Sequence, residues 1–204
     1  MTDLMTEELV PLKVTCTRSD CENGLHCYLA TAKMVREDTA GRCRACGISL
    51  VDWDRVHARN FSDVAFTFEC MRTEFIRHHF WHIEIDDAAI EHARKKGMLA
   101  LLENVPKRLL QSIGRAQPFR DGTQTPFEGR AVYYAKHATA TCCRKCVEEW
   151  HGIPRGRELT AEEVQYLSQL VVRYLDERLN DIPQEGIKPT RKRRVKSPRL
   201  IEEN

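Results

Sequence analysis

Nowhere in the chain do about 18 or more apolar residues run together, so no helical membrane span is expected. The first residues, MTDLMTEELVPLKV, are acidic and lack a basic stretch leading into an apolar one; no secretory signal is read there, and the expected location is the cytoplasm. No internal repeat is evident. No His-Glu-x-x-His pattern or other familiar catalytic motif occurs, so nothing announces an enzyme class. Net charge is also nearly absent, at +2. That balance hides an asymmetry. KPTRKRRVKSPRL carries Lys188, Arg191, Lys192, Arg193, Arg194, Lys196 and Arg199 with no acid among them, and the remainder of the chain is acidic. Such a block reads either as a solvated arm without a role or as a sequence-independent contact to a phosphate backbone.

What is abundant is cysteine. The 204 residues contain 9 cysteines, an odd number, and most of them are clustered. In a reducing compartment that usage argues against a disulfide framework and for metal ligation. In the first group, Cys16, Cys21 and Cys27 are followed by the pair Cys43-x-x-Cys46-Gly47. A Cys-x-x-Cys ending in glycine can grip one ion from a tight turn, because glycine allows the backbone to aim N–H groups at sulfur. Cys16 with Cys21 is the plainest completing pair, with Cys27 or His26 as substitutes. Zn2+ held by four protein ligands would be structural. An iron–sulfur cluster is a lesser option, and reduced core cysteines are the reading without metal.

The second group lies in HATATCCRKCVEEWHG. Cys143 and Cys146 form the pair, Cys142 is adjacent and could replace Cys143, and His137 and His151 are the natural completing ligands. Were one coordination position left to water, His137 or His151 could handle protons in a hydrolytic reaction. Alternatively the site is a staple, or Cys142 and Cys143 are small buried hydrophobes. His78 and His82 stand four apart on a helix that also carries His79; histidines satisfied within the core are the simpler explanation. The loop FRDGTQTPFEG offers Arg120, Asp121, Gln124 and Thr125, chemistry that suits a ligand, a nucleic-acid backbone or ordinary turns.

Three regions follow: a zinc-ribbon-like module over 13–60, a helical α+β domain with the Cys/His cluster over 61–180, and a basic disordered tail over 181–204. Val64, Phe68, Met71 and Phe75 recur at helical steps behind Ser62. Asp86 is a candidate cap for the next helix, and Pro106 suits the first turn of another. AVYYAKHA is β-prone and reads as a strand. The clearest helix is LTAEEVQYLSQLVVRYLDERL, with Thr160 and Glu163 as a capping box and Val164, Leu167, Leu170, Val171, Tyr174 and Leu175 as its apolar stripe.

QTPFEGRAVYYAKHATATCCRKCVEEWHGIPRGRELTAEEVQYL resembles a family of small bacterial proteins of unknown function, marked by His-Ala-Thr-Ala-Thr-Cys-Cys-x-x-Cys and Trp-His-Gly-Ile-Pro, over roughly residues 95–180. The resemblance implies that His137, Cys142, Cys143, Cys146, Trp150 and His151 act as one unit; it implies no activity. LVDWDRVHARN, with Asp52, Asp54, Arg55 and His57, shows a fainter likeness to the His-metal finger nucleases, which would make His57 a general base, although the conventional Asn and His that follow are not matched. The leading expectation is a zinc protein that contacts nucleic acid, in a prokaryotic DNA-processing, defence or mobile-element setting. The alternatives are a metal-dependent nucleic-acid hydrolase with His137, His151 or His57 as catalytic candidates, or a protein–protein adaptor.

Overall fold

The computed structural model describes residues 14–187. They form ten α-helices: α1 (Ala32–Arg36), α2 (Trp53–His57), α3 (Val64–Met71), α4 (Phe75–His82), α5 (Asp87–Lys96), α6 (Met98–Glu103), α7 (Val105–Leu109), α8 (Ala131–Ala138), α9 (Arg144–His151) and α10 (Ala161–Arg178). A π-helical turn, Leu110–Gly114, extends α7. Among the described residues β-structure is limited to isolated bridges, Asp20 with Leu25 and His26 with Glu74. The fold is therefore mostly helical rather than α+β. No described helix is long and apolar enough to cross a membrane.

The expected strand AVYYAKHA is the helix α8 instead. Its β-prone residues are overruled by burial on both sides: Ala131, Tyr134, Ala135 and Ala138 fall at helical steps and are all buried. Helix α10 is as anticipated. Thr160 Oγ1 accepts from Glu163 N, and the Glu163 carboxylate accepts from Thr160 N in return. Its stripe of Leu167, Leu170, Val171 and Tyr174 is fully buried. It forms the central strut, packed against α3, α7 and α8. Tyr174 donates to Phe80 O at 2.7 Å and Tyr166 to Thr67 Oγ1 at 3.1 Å, so the polar tips that this stripe buries are satisfied. Asp86 caps α5 through Ala89 N at 2.9 Å, and Pro106 lies in the first turn of α7. Ser62 does not cap α3. It lies in a 3-10 turn, Phe61–Asp63, whose Asp63 is engaged by Arg55 at 2.6 Å.

The N-terminal segment is fastened to the helical body. Tyr28 is fully buried and meets Trp53 and Trp150 edge-on, with centroids 5.7 Å away in each case. Ala30 N donates to Glu149 Oε1 at 3.1 Å, and Arg59 donates to His151 O at 2.8 Å. The other end also folds back. Met98 N donates to Pro183 O and Ile187 N to Arg94 O, and Ile182 is buried, so residues 181–187 are docked on α5 and α6 and do not begin a loose tail.

Leu170 has no exposed surface at the centre of the strut. Leu170→Ala is expected to cost about 2–5 kcal/mol, seen as a lower urea midpoint with an unchanged slope.

Candidate metal centres

Cys43 and Cys46 lie on a tight turn in which Gly47 N donates to Cys43 O and Cys43 N to Ile48 O, both at 2.8 Å. Gly47, at φ 78, closes it in the left-handed conformation that glycine adopts most readily. The turn faces the loop closed by the Asp20–Leu25 bridge, which carries Cys21 and leads into His26. The ligand atoms of Cys21, His26, Cys43 and Cys46 all lie within 4.8 Å of one another. Cys21 Sγ is 3.7 Å from Cys43 Sγ, and Cys46 Sγ is 3.5 Å from His26 Nδ1. Tetrahedral coordination at metal–sulfur and metal–nitrogen bonds of ~2.3 and ~2.05 Å requires edges of about 3.8 and 3.6 Å. The observed edges therefore match one mononuclear ion. Burial pushes the Cys43 thiol up, but the backbone N–H groups of Cys27, Cys46 and Ala45 and the His26 ring outweigh it and bring it down to about 6.

The membership of this cluster differs from the plainest sequence reading at one position. His26 completes it, and Cys16 does not. His26 is held by the parallel bridge to Glu74, in which His26 N donates to Thr73 O and Phe75 N to His26 O. Cys27, one residue on, points the other way and donates its S–H to Cys16 O.

Cys16 lies toward the downstream group. Cys142, Cys143 and Cys146 have their sulfurs within 4.8 Å of one another. The Cys16 thiol interacts with Cys146 from outside that set of three. Cys146 is held well below the usual thiol range, first by the S–H groups of Cys142, Cys143 and Cys16, and further by Arg77. Cys143 occupies the N-cap position of α9 and Cys146 its first turn, so the pair Cys143-x-x-Cys146 is presented from a helix start. Cys142, Cys143 and Cys146 make an all-thiol set of three, in which both Cys142 and Cys143 take part, and Cys16 lies beside it next to Cys146. A multi-iron cluster would spread its thiolates over separate irons and hold them farther apart, so this spacing too suits a single ion.

Arg77 explains how such a concentration of sulfur is tolerated. Its guanidinium is 3% exposed and cannot lose its proton. Nη2 donates to Cys146 Sγ at 3.2 Å, while Nε donates to Glu74 Oε2 at 2.9 Å. Trp150 Nε1 donates to the same carboxylate oxygen at 2.6 Å. Burial alone would push Arg77 down; Cys146 and Glu74 more than offset it.

The structure keeps His137 and His151 out of the thiol cluster, so the expectation that they complete it is corrected. His137 packs against both Phe80 and Phe127, with centroids 4.5 and 4.8 Å away, and its Nε2 faces Thr125 O and Pro126 O. His151 is fully buried and its Nε2 faces Thr139 O at 3.1 Å. Carbonyl oxygens only accept, so in both rings Nε2 carries the hydrogen. Desolvation, the largest cause in each, drives His137 down to about 4 and His151 down to about 3, and both are neutral at neutral pH. His57 is also committed to packing. Its Nε2 meets Glu149 O at 3.2 Å and its ring rests on Trp53. Gly152 ends α9 at φ 61, and a Cβ there would lie 2.9 Å from His57 Cγ. His78 and His82 stack on each other and join no ligand cluster among the described residues.

The described residues therefore include two clusters that could hold a metal ion. The cations Lys188, Arg191, Lys192, Arg193, Arg194, Lys196 and Arg199 lie outside the described residues.

The region around the second cluster identifies the family. A domain of unknown function, DUF4186, matches residues 65–176. The chain belongs to the DUF4186 family. That span takes in Arg77, Cys142, Cys143, Cys146 and α10 but stops short of Cys16, Cys21, His26, Cys43 and Cys46. No solved structure matches the chain.

Arg77→Leu is expected to destabilise the protein by about 3–5 kcal/mol, because Glu74 and the thiolate lose their buried counter-charge together; chemical denaturation measures it. Arg77→Leu with Glu74→Leu should recover part of the loss.

Proposed function

We propose that this DUF4186 protein is a zinc protein with two structural ions, one held by Cys21, His26, Cys43 and Cys46 and the other by Cys16, Cys142, Cys143 and Cys146, and that the stapled body binds nucleic acid. The observation that carries the zinc reading is the match, at the first cluster, of the 3.7 Å S–S and 3.5 Å S–N edges to a tetrahedron with every vertex a protein atom. Thiolate-rich sets of this geometry favour zinc over magnesium or calcium, which prefer oxygen. Four protein ligands at the first cluster leave no vertex for a metal-bound water, and Cys16 as the fourth ligand would leave none at the second, so the hydrolase reading is the weaker one. His137, His151 and His57, its catalytic candidates, are each engaged by backbone carbonyls.

Nucleic-acid binding is supported by the block of cations from Lys188 to Arg199 and by Phe119 on the folded body, 84% exposed with Arg120 against its face. A cation beside an exposed ring can engage a phosphate and stack on a base.

The metal content is tested by elemental analysis of the as-isolated protein, with two zinc equivalents expected. Cys46→Ser and Cys16→Ser should each remove one equivalent and leave the other. Loss of both from either variant would mean that the sites do not form independently; retention of both would sink the ligand assignment. Cobalt substitution should give the visible bands of tetrahedral thiolate coordination at both sites. Nucleic-acid binding is tested on the full chain by titration with a DNA duplex and a single strand at increasing salt. Affinity should fall steeply with salt, and changing Arg191, Lys192, Arg193 and Arg194 to Gln should reduce the log–log slope by up to about 3–4 on duplex. An unchanged slope would remove the cationic block from the proposal, and no DNA retention at low salt would favour the adaptor.

A further inference from the structure

One cavity among the described residues lies away from both metal clusters. It lies between the π-helical turn Leu110–Gly114, helix α8 and the loop over 115–130, with a volume of about 370 Å³. That is within the ~300–1,000 Å³ of small-molecule sites. Arg108, Arg120 and Lys136 line it together with Gln111, Thr123 and Gln124, and no carboxylate does. Phe119, Val132 and Tyr133 supply its apolar wall.

Lys136 is the unusual member. It is 3% exposed, yet its ammonium has one hydrogen-bond partner, Ser112 Oγ at 2.6 Å. The Ser112 hydroxyl is itself committed, donating to Arg108 O at 2.8 Å, so its oxygen is free to accept from Lys136. An ammonium has three donors, and no buried ion pair satisfies the others. Desolvation pushes Lys136 down to about 8, with the sulfurs of Cys142 and Cys143 opposing. Burying a cation without a counter-ion costs stability, and a fold keeps such a group where it has a use. Ser112 reaches it from a π-turn, a helix distortion that recurs at functional sites.

We propose that this cavity binds a phosphate monoester, with the phosphoryl group between Lys136, Arg108 and Arg120 and the rest of the ligand along Phe119, Val132 and Tyr133. Three cations without an acid favour a dianionic phosphoryl group over a single carboxylate. The volume admits a ligand up to roughly mononucleotide size. The phosphate could come from a free nucleotide or from the phosphorylated end of a strand, since the recognised chemistry is the same. The site stands apart from the cationic block at Lys188–Arg199 and does not rest on the nucleic-acid reading.

The experiment is calorimetric titration of the metal-loaded full chain with inorganic phosphate, adenosine, adenosine 5′-monophosphate, and a short single strand with and without a 5′-phosphate. Binding of the monophosphate but not of adenosine is expected. A 5′-phosphorylated strand that binds better than its unphosphorylated twin assigns the strand end as a source; equal binding of the two strands, with the free monophosphate bound, assigns the free nucleotide. Lys136→Met should weaken monophosphate binding at least about tenfold and raise the thermal midpoint of the ligand-free protein, because a buried charge is removed. Arg120→Gln, at an exposed position, should weaken binding with no change in midpoint. If no phosphorylated probe binds, the proposal fails. If Lys136→Met lowers metal content or midpoint and leaves phosphate binding intact, Lys136 serves only as a counter-charge to the nearby sulfurs, and the proposal fails equally.

Discussion

A guanidinium sealed in a protein interior has to be neutralised, and the answer given to Arg77 organises this molecule. On one side it meets Glu74, on the other Cys146. Glu74 is in turn reached by Trp150 through its side chain and by His26 through the backbone bridge. One unbroken line of contacts therefore runs from the ligand His26 of the first cluster, through Glu74 and Arg77, to the ligand Cys146 of the second. Removing the residues of either cluster would leave the shared charges unbalanced. The line also bears on where the N-terminal segment lies, because His26 sits in the first cluster while Cys16 lies beside Cys146 of the second.

Seen from this line, the run HATATCCRKCVEEWHGIP is chiefly a folding device. Thr139 and Thr141 bond each other and the end of α8, turning the chain at Ala140 with φ 52 so that Cys142 and Cys143 face inward. Arg144 is fully buried and donates to Ile113 O, Pro154 O and Arg157 O, which fixes the π-turn beside the cavity to the loop that precedes α10. Trp150 caps Glu74, His151 holds Thr139, and Gly152 makes room for His57. Lys136, one residue ahead of the run, has no comparable structural bond beyond Ser112. A single short stretch thus builds a thiol cluster on one side and borders a cavity on the other.

Much of the local structure was legible from residue patterns. The capping box at Thr160, the cap at Asp86, the stripe of α10 and the Cys43-x-x-Cys46-Gly47 turn are local rules, written within a few residues, and all are present. The strand expected at AVYYAKHA failed because β-propensity there yields to packing against α4 and α10, which a local pattern does not contain. Residues 183–187 of the expected tail meet helices far back in the chain through Met98 N to Pro183 O, Leu99 N to Gln184 O and Ile187 N to Arg94 O, contacts that composition does not contain. Which residues group together depends on the fold in the same way. Spacing can pair Cys43 with Cys46 or Cys143 with Cys146, but His26 is joined to Cys43 and Cys46 only by the tertiary fold.

The sequence by itself determined the chemistry: soft ligands in excess of what any packing role needs, two paired turns to present them, and a helical body to carry them. Tertiary structure alone decided the partition. His26 was drawn to the first cluster by its bridge to Glu74, and Cys16 came to lie beside Cys146. His137 and His151 were retired to neutral packing by burial against aromatic rings and carbonyl oxygens. Coordination and desolvation both depend on distances across the fold, and residue order sets those distances only after the helices have packed.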